Sequence, residues 1–119
     1  MTSLAYLVSS PWKDKLGEKV ASENFTLSVI PDDPRVICGE KITGDGYKSE
    51  NYDVIKNGVL ESFCLSEYAA RKTGGRRAPS SSGCVEVRAG GKTFEEMIKG
   101  IEKGVLVCRF SGGEPAGNG

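Results

Sequence analysis

Histidine is missing from this sequence: none of the 119 residues is a histidine. Histidine is the side chain that most often acts as a general base near neutral pH, and it is a common metal ligand. Its absence excludes the Ser-His-Asp and Cys-His catalytic arrangements, and every histidine-ligated metal site, from this chain. Chemistry from these residues alone would need carboxylates, a lysine or a lone cysteine, and no spacing in the sequence nominates such a group.

Closely spaced cysteines are missing as well. The four cysteines are Cys38, Cys64, Cys84 and Cys108, and the sequence contains no Cys-x-x-Cys pair. Zinc ribbons and fingers need such pairs, because a tetrahedral site is usually built from two tight loops. A metal site is therefore not predicted here. We expect reduced thiols, with Cys64 and Cys108 packed as small hydrophobic residues within strands.

An excess of one charge sign and a long apolar run are also absent. The 16 basic and 16 acidic residues cancel, so no net charge directs the chain to nucleic acid or to an anionic membrane. The apolar stretch from Leu4 to Val8 is too short to span a bilayer, and it lacks the basic flank and cleavage site of a signal peptide. We therefore predict a cytoplasmic protein with no membrane partner.

The sequence is rich in glycine and in short alternating runs. Its 16 glycines and five prolines, together with a single convincing helix, favour short strands and many turns. Residues 24–30 alternate apolar and polar side chains and end at Pro31-Asp-Asp-Pro34, a turn whose carboxylates are more often solvated than bound to a metal. Asn57-Gly58 is the pair that best tolerates the positive φ of a type I′ turn, which predicts a hairpin. The predicted strands are 24–30, 36–38, 52–56, 59–65 and 84–88.

One clear short helix is predicted at 93–103. Thr93 and Glu96 have the spacing of a capping box, with the threonine at the N-cap. The apolar stripe of this helix consists of Phe94, Met97, Ile98 and Ile101. We expect Gly104 to end the helix and a strand to follow at 105–110.

A basic, serine-rich loop follows a short helical turn, which we expect Ser66 to cap and Gly74 to end. The turn and the loop together carry Arg71, Lys72, Arg76 and Arg77. Because long loops beside strands often carry function, these cations are candidate contacts to substrate, as are Ser111, Gly112 and Gly113 of the glycine loop. Phosphate or nucleic-acid contact is an alternative, but Tyr68 is the only aromatic residue interleaved for stacking on bases.

Several segments, in their order and spacing, resemble the C-terminal domain of the TldD/PmbA family, also called the modulator of DNA gyrase family. The similar segments are 14–22, Asp32-Asp-Pro34, Val54-Ile-Lys-Asn-Gly-Val-Leu60, Tyr68-Ala-Ala-Arg-Lys-Thr-Gly74, 92–99 and 104–113. They cover nearly the whole chain, and 68–74 and 109–113 look closer to the PmbA branch. The sequence departs from the family at Gly44-Asp45-Gly46, where an acidic Asp-x-Glu-Gly stretch is usual.

The resemblance implies an α+β fold, mostly antiparallel β with one clear short helix. In the family this domain forms part of a channel in which an unfolded peptide is bound and cut. Catalytic members of the family resemble zinc peptidases, with a His-Glu-x-x-x-His helix and a cysteine nearer the C-terminus. This chain would begin after that helix and end before that cysteine, so no catalytic residue and no zinc ligand is carried over. Members of the PmbA branch lack the metal motif and pair with a TldD-type subunit.

The predicted function follows from these points. Because the chain stops in a polar Gly/Pro/Asn loop, we expect a single domain or a fragment of the TldD/PmbA C-terminal domain, non-catalytic, serving as scaffold and peptide-channel wall. No cofactor is expected in the chain, and zinc would belong to the longer protein or its partner subunit. Expected partners are an unfolded peptide and a TldD/PmbA-type subunit in a homo- or hetero-oligomer. The alternative is a small nucleic-acid- or protein-binding module without enzymatic activity, in which nucleic acid is disfavoured by the balanced charge.

Overall fold

The computed structural model describes residues 10–81, 83–109 and 111–112. The chain divides into two compact units, Met1–Arg88 and Ala89–Gly119. The first unit carries the sheet, a helix and the buried residues. Among its described residues, the second carries one short helix.

In the described part of the chain, the first unit contains an antiparallel sheet of four strands. The strands are β1 Leu27–Val29, β2 Tyr52–Lys56, β3 Val59–Leu60 and β4 Val85–Val87, in the order β3-β2-β1-β4. This confirms the prediction of an α+β fold, mostly antiparallel. The predicted strand at 36–38 is wrong, because Ile37 lies in a turn with 99% of its surface exposed. The second arm of the hairpin is also shorter than the predicted 59–65.

The Asn57-Gly58 turn joins β2 to β3, as predicted. Asn57 has a φ of 48° and Gly58 a φ of 82°, both in the left-handed region that a type I′ turn requires. The turn packs against an earlier part of the chain, since the Gly58 carbonyl accepts hydrogen bonds from the amides of Val20 and Ala21, at 2.8 and 3.1 Å. The Gly58 amide donates to the carbonyl of Phe25 at 2.8 Å. The hairpin is therefore fixed to the rest of the unit at its turn.

The buried centre of the sheet lies beside this turn. Ile55 and Leu60 are each 1% exposed and face one another in register across the hairpin. Thr26, which the alternation pattern assigns to the polar face, is 2% exposed. Its Oγ1 accepts a hydrogen bond from the Asn57 amide at 3.1 Å. Thr26 is buried because its hydroxyl satisfies a backbone donor of the turn.

Helix α1, Glu67–Thr73, packs against the residues that follow β3. Ser66 caps its N-terminus by accepting from the Ala69 amide, and Gly74 ends it with a φ of 70°, as the sequence predicts. The buried side chains of this region are Leu65, Ala69 and Ala70, with Phe63 packed against them. The two small alanines let the helix lie close to the underlying chain.

Helix α2, Phe94–Lys99, is shorter than the predicted 93–103. The capping box is confirmed, because Thr93 Oγ1 accepts from the Glu96 amide at 3.2 Å and a Glu96 oxygen accepts from the Thr93 amide at 2.7 Å. Gly100 takes the C-cap position, and no residue of the helix is buried. A helix that buries no apolar face depends on its caps alone and stays short.

The predicted strand at 105–110 is also wrong for its described part. Residues 105–109 are exposed and lie outside any strand, and Phe110 falls outside the described residues. A strand needs a hydrogen-bonded neighbour, and no described residue pairs with this segment.

We predict that Gly58→Ala lowers the free energy of unfolding by at least about 3 kcal/mol. A Cβ at Gly58 would lie 2.5 Å from the Ala21 carbonyl oxygen and 2.7 Å from that of Ser22, in addition to the strain of its positive φ. Urea unfolding followed by circular dichroism would measure the change.

Gly46→Ala is the matched control for this substitution. Gly46 has a φ of 85°, but a Cβ there would meet nothing within 4 Å, so only the backbone strain of about 1–2 kcal/mol is expected. Equal losses for the two variants would show that the close approach at Gly58 is unimportant.

Candidate functional site

A groove of about 810 Å³ opens on the surface of the first unit. Its apolar wall includes Tyr52, Phe63 and Leu65, and its charged wall includes Asp53, Glu61 and Arg76. Strand β2 supplies Tyr52 and Asp53 from adjacent positions, while the chain after β3 supplies the residues from Glu61 to Leu65. Both signs of charge flank the apolar surface.

Tyr52 stands at the rim of this groove with its hydroxyl directed at two acceptors. The hydroxyl lies 3.5 Å from Cys64 Sγ and 3.4 Å from the Ser80 carbonyl oxygen. Burial raises the pKa of Tyr52 above its ordinary value, and the neighbouring Cys64 raises it further. The phenol therefore stays protonated and acts as a neutral donor, not as a base.

Glu40 holds the loop beyond the groove in place. Its carboxylate accepts hydrogen bonds from the hydroxyls of Ser49 at 2.8 Å, Ser80 at 2.7 Å and Ser81 at 2.6 Å, and from the Ser81 amide at 3.0 Å. The hydrogen bonds from Ser81 and Ser80 lower the pKa of Glu40 to about 2. Sequence analysis did not single out Glu40, because its donors lie 9, 40 and 41 residues away.

The four predicted cations do not converge on one site. Arg71 pairs with Glu67 one turn earlier in α1, and Lys72 lies over the Tyr68 ring at 5.9 Å from its centroid. Arg77 stacks on Tyr47 at 4.0 Å and donates to the Ala78 carbonyl at 2.7 Å.

Arg76 differs from the other three cations. It lines the groove, and it also lines a smaller pocket of about 430 Å³ beside Tyr47 and Arg77. Within the described ranges it makes no ion pair or ring contact. It is the one predicted cation whose side chain is available to a ligand in the groove.

The other candidate contacts belong to the second unit. Ser111 and Gly112 are exposed, and Gly113 falls outside the described residues.

Cys64 and Cys108 are exposed, so the expectation that they pack as hydrophobic residues within strands is wrong.

The donor set does not fit the zinc that the resemblance implies for catalytic members. The sequence has no histidine, and within 10–81, 83–109 and 111–112 no three His, Cys, Asp or Glu residues come together as a metal cluster would. In the same ranges, no helix has the length and apolar character needed to cross a bilayer.

Comparison with known proteins identifies the domain. A family model described as the PmbA/TldA metallopeptidase C-terminal domain matches residues 3–119. The metalloprotease PmbA of Escherichia coli O157:H7 is 28% identical over 101 residues, which cover 83% of this chain and 22% of that protein. A metalloprotease of Methanothermobacter thermautotrophicus is 32% identical over 121 residues, covering 84% of this chain and 24% of the relative.

Solved structures agree with the sequence comparison. A crystal structure from Bacteroides thetaiotaomicron, assigned as a modulator of DNA gyrase, superposes with a TM-score of 0.78 at 29% identity, over 98% of this chain and 27% of that one. TldE from Thermococcus kodakarensis gives a TM-score of 0.66 at 25% identity, over 82% and 25% of the two chains.

The fold and these matches define a metallopeptidase-related C-terminal domain. The chain belongs to the PmbA/TldD family. It spans about a quarter of the length of the relatives it matches. The resemblance seen in the sequence is therefore confirmed.

We predict that Glu40→Gln destabilises the first unit by about 1–3 kcal/mol, because three hydroxyls and an amide lose a charged acceptor. Chemical unfolding would measure the loss. Glu50→Gln, at an exposed carboxylate of the same unit, is the matched control and should change stability little. A Glu40→Gln protein as stable as the control variant would contradict the assigned role.

The contribution of Glu40 should also depend on pH. Its folded-state pKa is lowered from 4.5 to about 2, so the stabilisation is complete above the unfolded pKa and is lost as the pH falls through the folded pKa. The difference in unfolding free energy between wild type and Glu40→Gln should therefore be constant near neutral pH and shrink between 4.5 and about 2. A difference that grew on acidification would contradict this sign.

Proposed function

We propose that this chain forms part of the peptide-binding wall of a PmbA/TldD-type protein and supplies no catalytic group of its own. The observation that carries the proposal is the groove of about 810 Å³ on the first unit, with its mixed apolar and charged lining. Phe63 provides apolar surface for side chains, and Arg76 provides a cation that forms no ion pair with another described residue.

The lining suits an extended peptide of varied sequence. A site specific for one charged ligand would concentrate one sign of charge, whereas here Asp53 and Glu61 stand beside Lys56 and Arg76. Alternating charges and apolar surface give contacts to many side chains without selecting one.

Zinc and a partner subunit belong to the proposal for the whole protein. The relatives are named metalloproteases, and the described donors of this chain do not fit a zinc site. We place any zinc elsewhere in the longer protein or on a TldD/PmbA-type partner subunit, in a homo- or hetero-oligomer. An exposed edge strand supports such assembly, since β4 leaves Val85 56% and Val87 55% exposed.

The basic loop gives little support to the nucleic-acid alternative. Three of the four predicted cations already contact Glu67, Tyr68 or Tyr47, and two of these three lie on α1 and not on the loop. The chain also has no net charge. A nucleic-acid surface needs several free cations along the phosphate backbone.

The test is binding of a fluorescein-labelled, unstructured peptide of mixed composition to the full chain, followed by anisotropy. We predict that Arg76→Ala weakens binding up to about tenfold, equivalent to about 1.4 kcal/mol. Lys41→Ala, at an exposed lysine that does not line the groove, should bind like wild type.

Two results would contradict the proposal: no peptide binding, or equal affinity for the wild type and Arg76→Ala. A labelled single-stranded oligonucleotide serves as the competing probe. Binding of that oligonucleotide, falling steeply with salt, would favour the nucleic-acid alternative.

A further inference from the structure

Two segments far apart in sequence lie side by side in the first unit. Arg35 Nη1 pairs with Glu86 at 2.7 Å, the Cys84 thiol donates to the Cys38 carbonyl at 3.8 Å, and Glu40 accepts from Ser81. As residue numbers rise along one segment they fall along the other. The segments therefore run antiparallel, with the two cysteines between two polar contacts.

Backbone contacts fix this arrangement at the end of β1. The Ile30 amide donates to the Cys84 carbonyl at 2.8 Å, which holds the start of β4. Gly39 packs directly on Pro31, since a Cβ there would lie 2.2 Å from the Pro31 carbonyl oxygen. Because Ile30 and Pro31 are consecutive, both cysteines are held next to the same point of the chain.

We propose that Cys38 and Cys84 form a reversible disulfide, a redox modification site that joins the segment before Glu40 to β4. A disulfide needs Cα atoms no more than about 7 Å apart, and the 3.8 Å contact between Cys84 Sγ and the Cys38 carbonyl oxygen places the Cys84 thiol beside the Cys38 backbone. Cys38 is exposed, and Cys84 is half-buried. The proposal does not depend on peptide binding.

A small-molecule disulfide such as oxidised glutathione is the oxidant. The Cys38 thiolate attacks one of its sulfurs, forming a mixed disulfide and releasing one glutathione thiolate. The Cys84 thiolate then attacks the Cys38 sulfur, forming the protein disulfide and releasing the second glutathione thiolate. The protein loses two electrons, the glutathione disulfide gains them, and the two protein thiol protons pass to the departing thiolates.

The new bond would close a covalent loop around the hairpin, α1 and the basic loop. It would brace the segment that carries Glu40, and with it the contacts of Glu40 to Ser80 and Ser81. A closed loop of this length restricts the unfolded chain, so the oxidised protein should unfold at a temperature several degrees higher.

The test is incubation of the full folded chain in glutathione buffers of increasing oxidised fraction, followed by alkylation, mass spectrometry and peptide mapping. We expect two alkyl groups instead of four, on Cys64 and Cys108, and a Cys38–Cys84 peptide. After correction for the alkyl groups, we expect a loss of about 2 Da for the two hydrogens removed. Cys38→Ser should abolish the mass loss, and because Cys38 is exposed this variant should fold. Circular dichroism checks that it does.

The reciprocal control is Cys64→Ser combined with Cys108→Ser, which keeps only the proposed pair and should oxidise like wild type. Three results would overturn the proposal: Cys38 and Cys84 staying alkylatable throughout, a lasting glutathione adduct on Cys38 with Cys84 still reduced, or pairing with Cys64 or Cys108 at the same buffer composition. A melting temperature that does not rise on oxidation would also overturn the bracing role.

Discussion

The close packing of the Asn57-Gly58 turn against residues 20–26 is the contact on which the first unit depends. Gly58 exchanges backbone hydrogen bonds with Val20, Ala21 and Phe25, and Thr26 adds its hydroxyl to the Asn57 amide. A residue without a Cβ is required at the centre of this contact, because neighbouring carbonyl oxygens occupy the space of a side chain. Once the turn is seated, the hairpin register follows and its central apolar residues are buried.

The groove depends on this sheet and on a polar network beyond it. Among the described residues, seven hydrophobic and five polar residues are buried, so hydrogen bonding has a large share in fixing the unit. Glu40 is the centre of that network, and two of the buried polar residues, Ser49 and Ser80, donate to it. Because an unpartnered polar group in such a position would cost stability, the hydrogen bonds of Glu40 to Ser80 and Ser81 help to hold the loop that follows Arg76.

In the second unit, the local sequence pattern predicts the start of helix α2 correctly but not its end. The capping box fixes where α2 begins, because Thr93 and Glu96 satisfy each other's backbone amides without help from elsewhere. The apolar stripe predicts a longer helix, but its members stay about half exposed. Extension to 103 and a strand at 105–110 would both need a surface to pack on or pair with.

The sequence by itself determined the elements whose interactions are local: the hairpin turn, the Ser66 and Thr93 caps, the glycine that ends α1, and the membership of the PmbA/TldD family. It also determined that no histidine chemistry resides here. Only the tertiary structure decided which cation reaches the groove, why Thr26 is buried, and what Glu40 holds. Each of these depends on partners distant in sequence, 31 residues away for Thr26 and up to 41 for Glu40. Periodicity and capping patterns involve only a few neighbouring positions, so they cannot predict contacts between residues 31 to 41 positions apart.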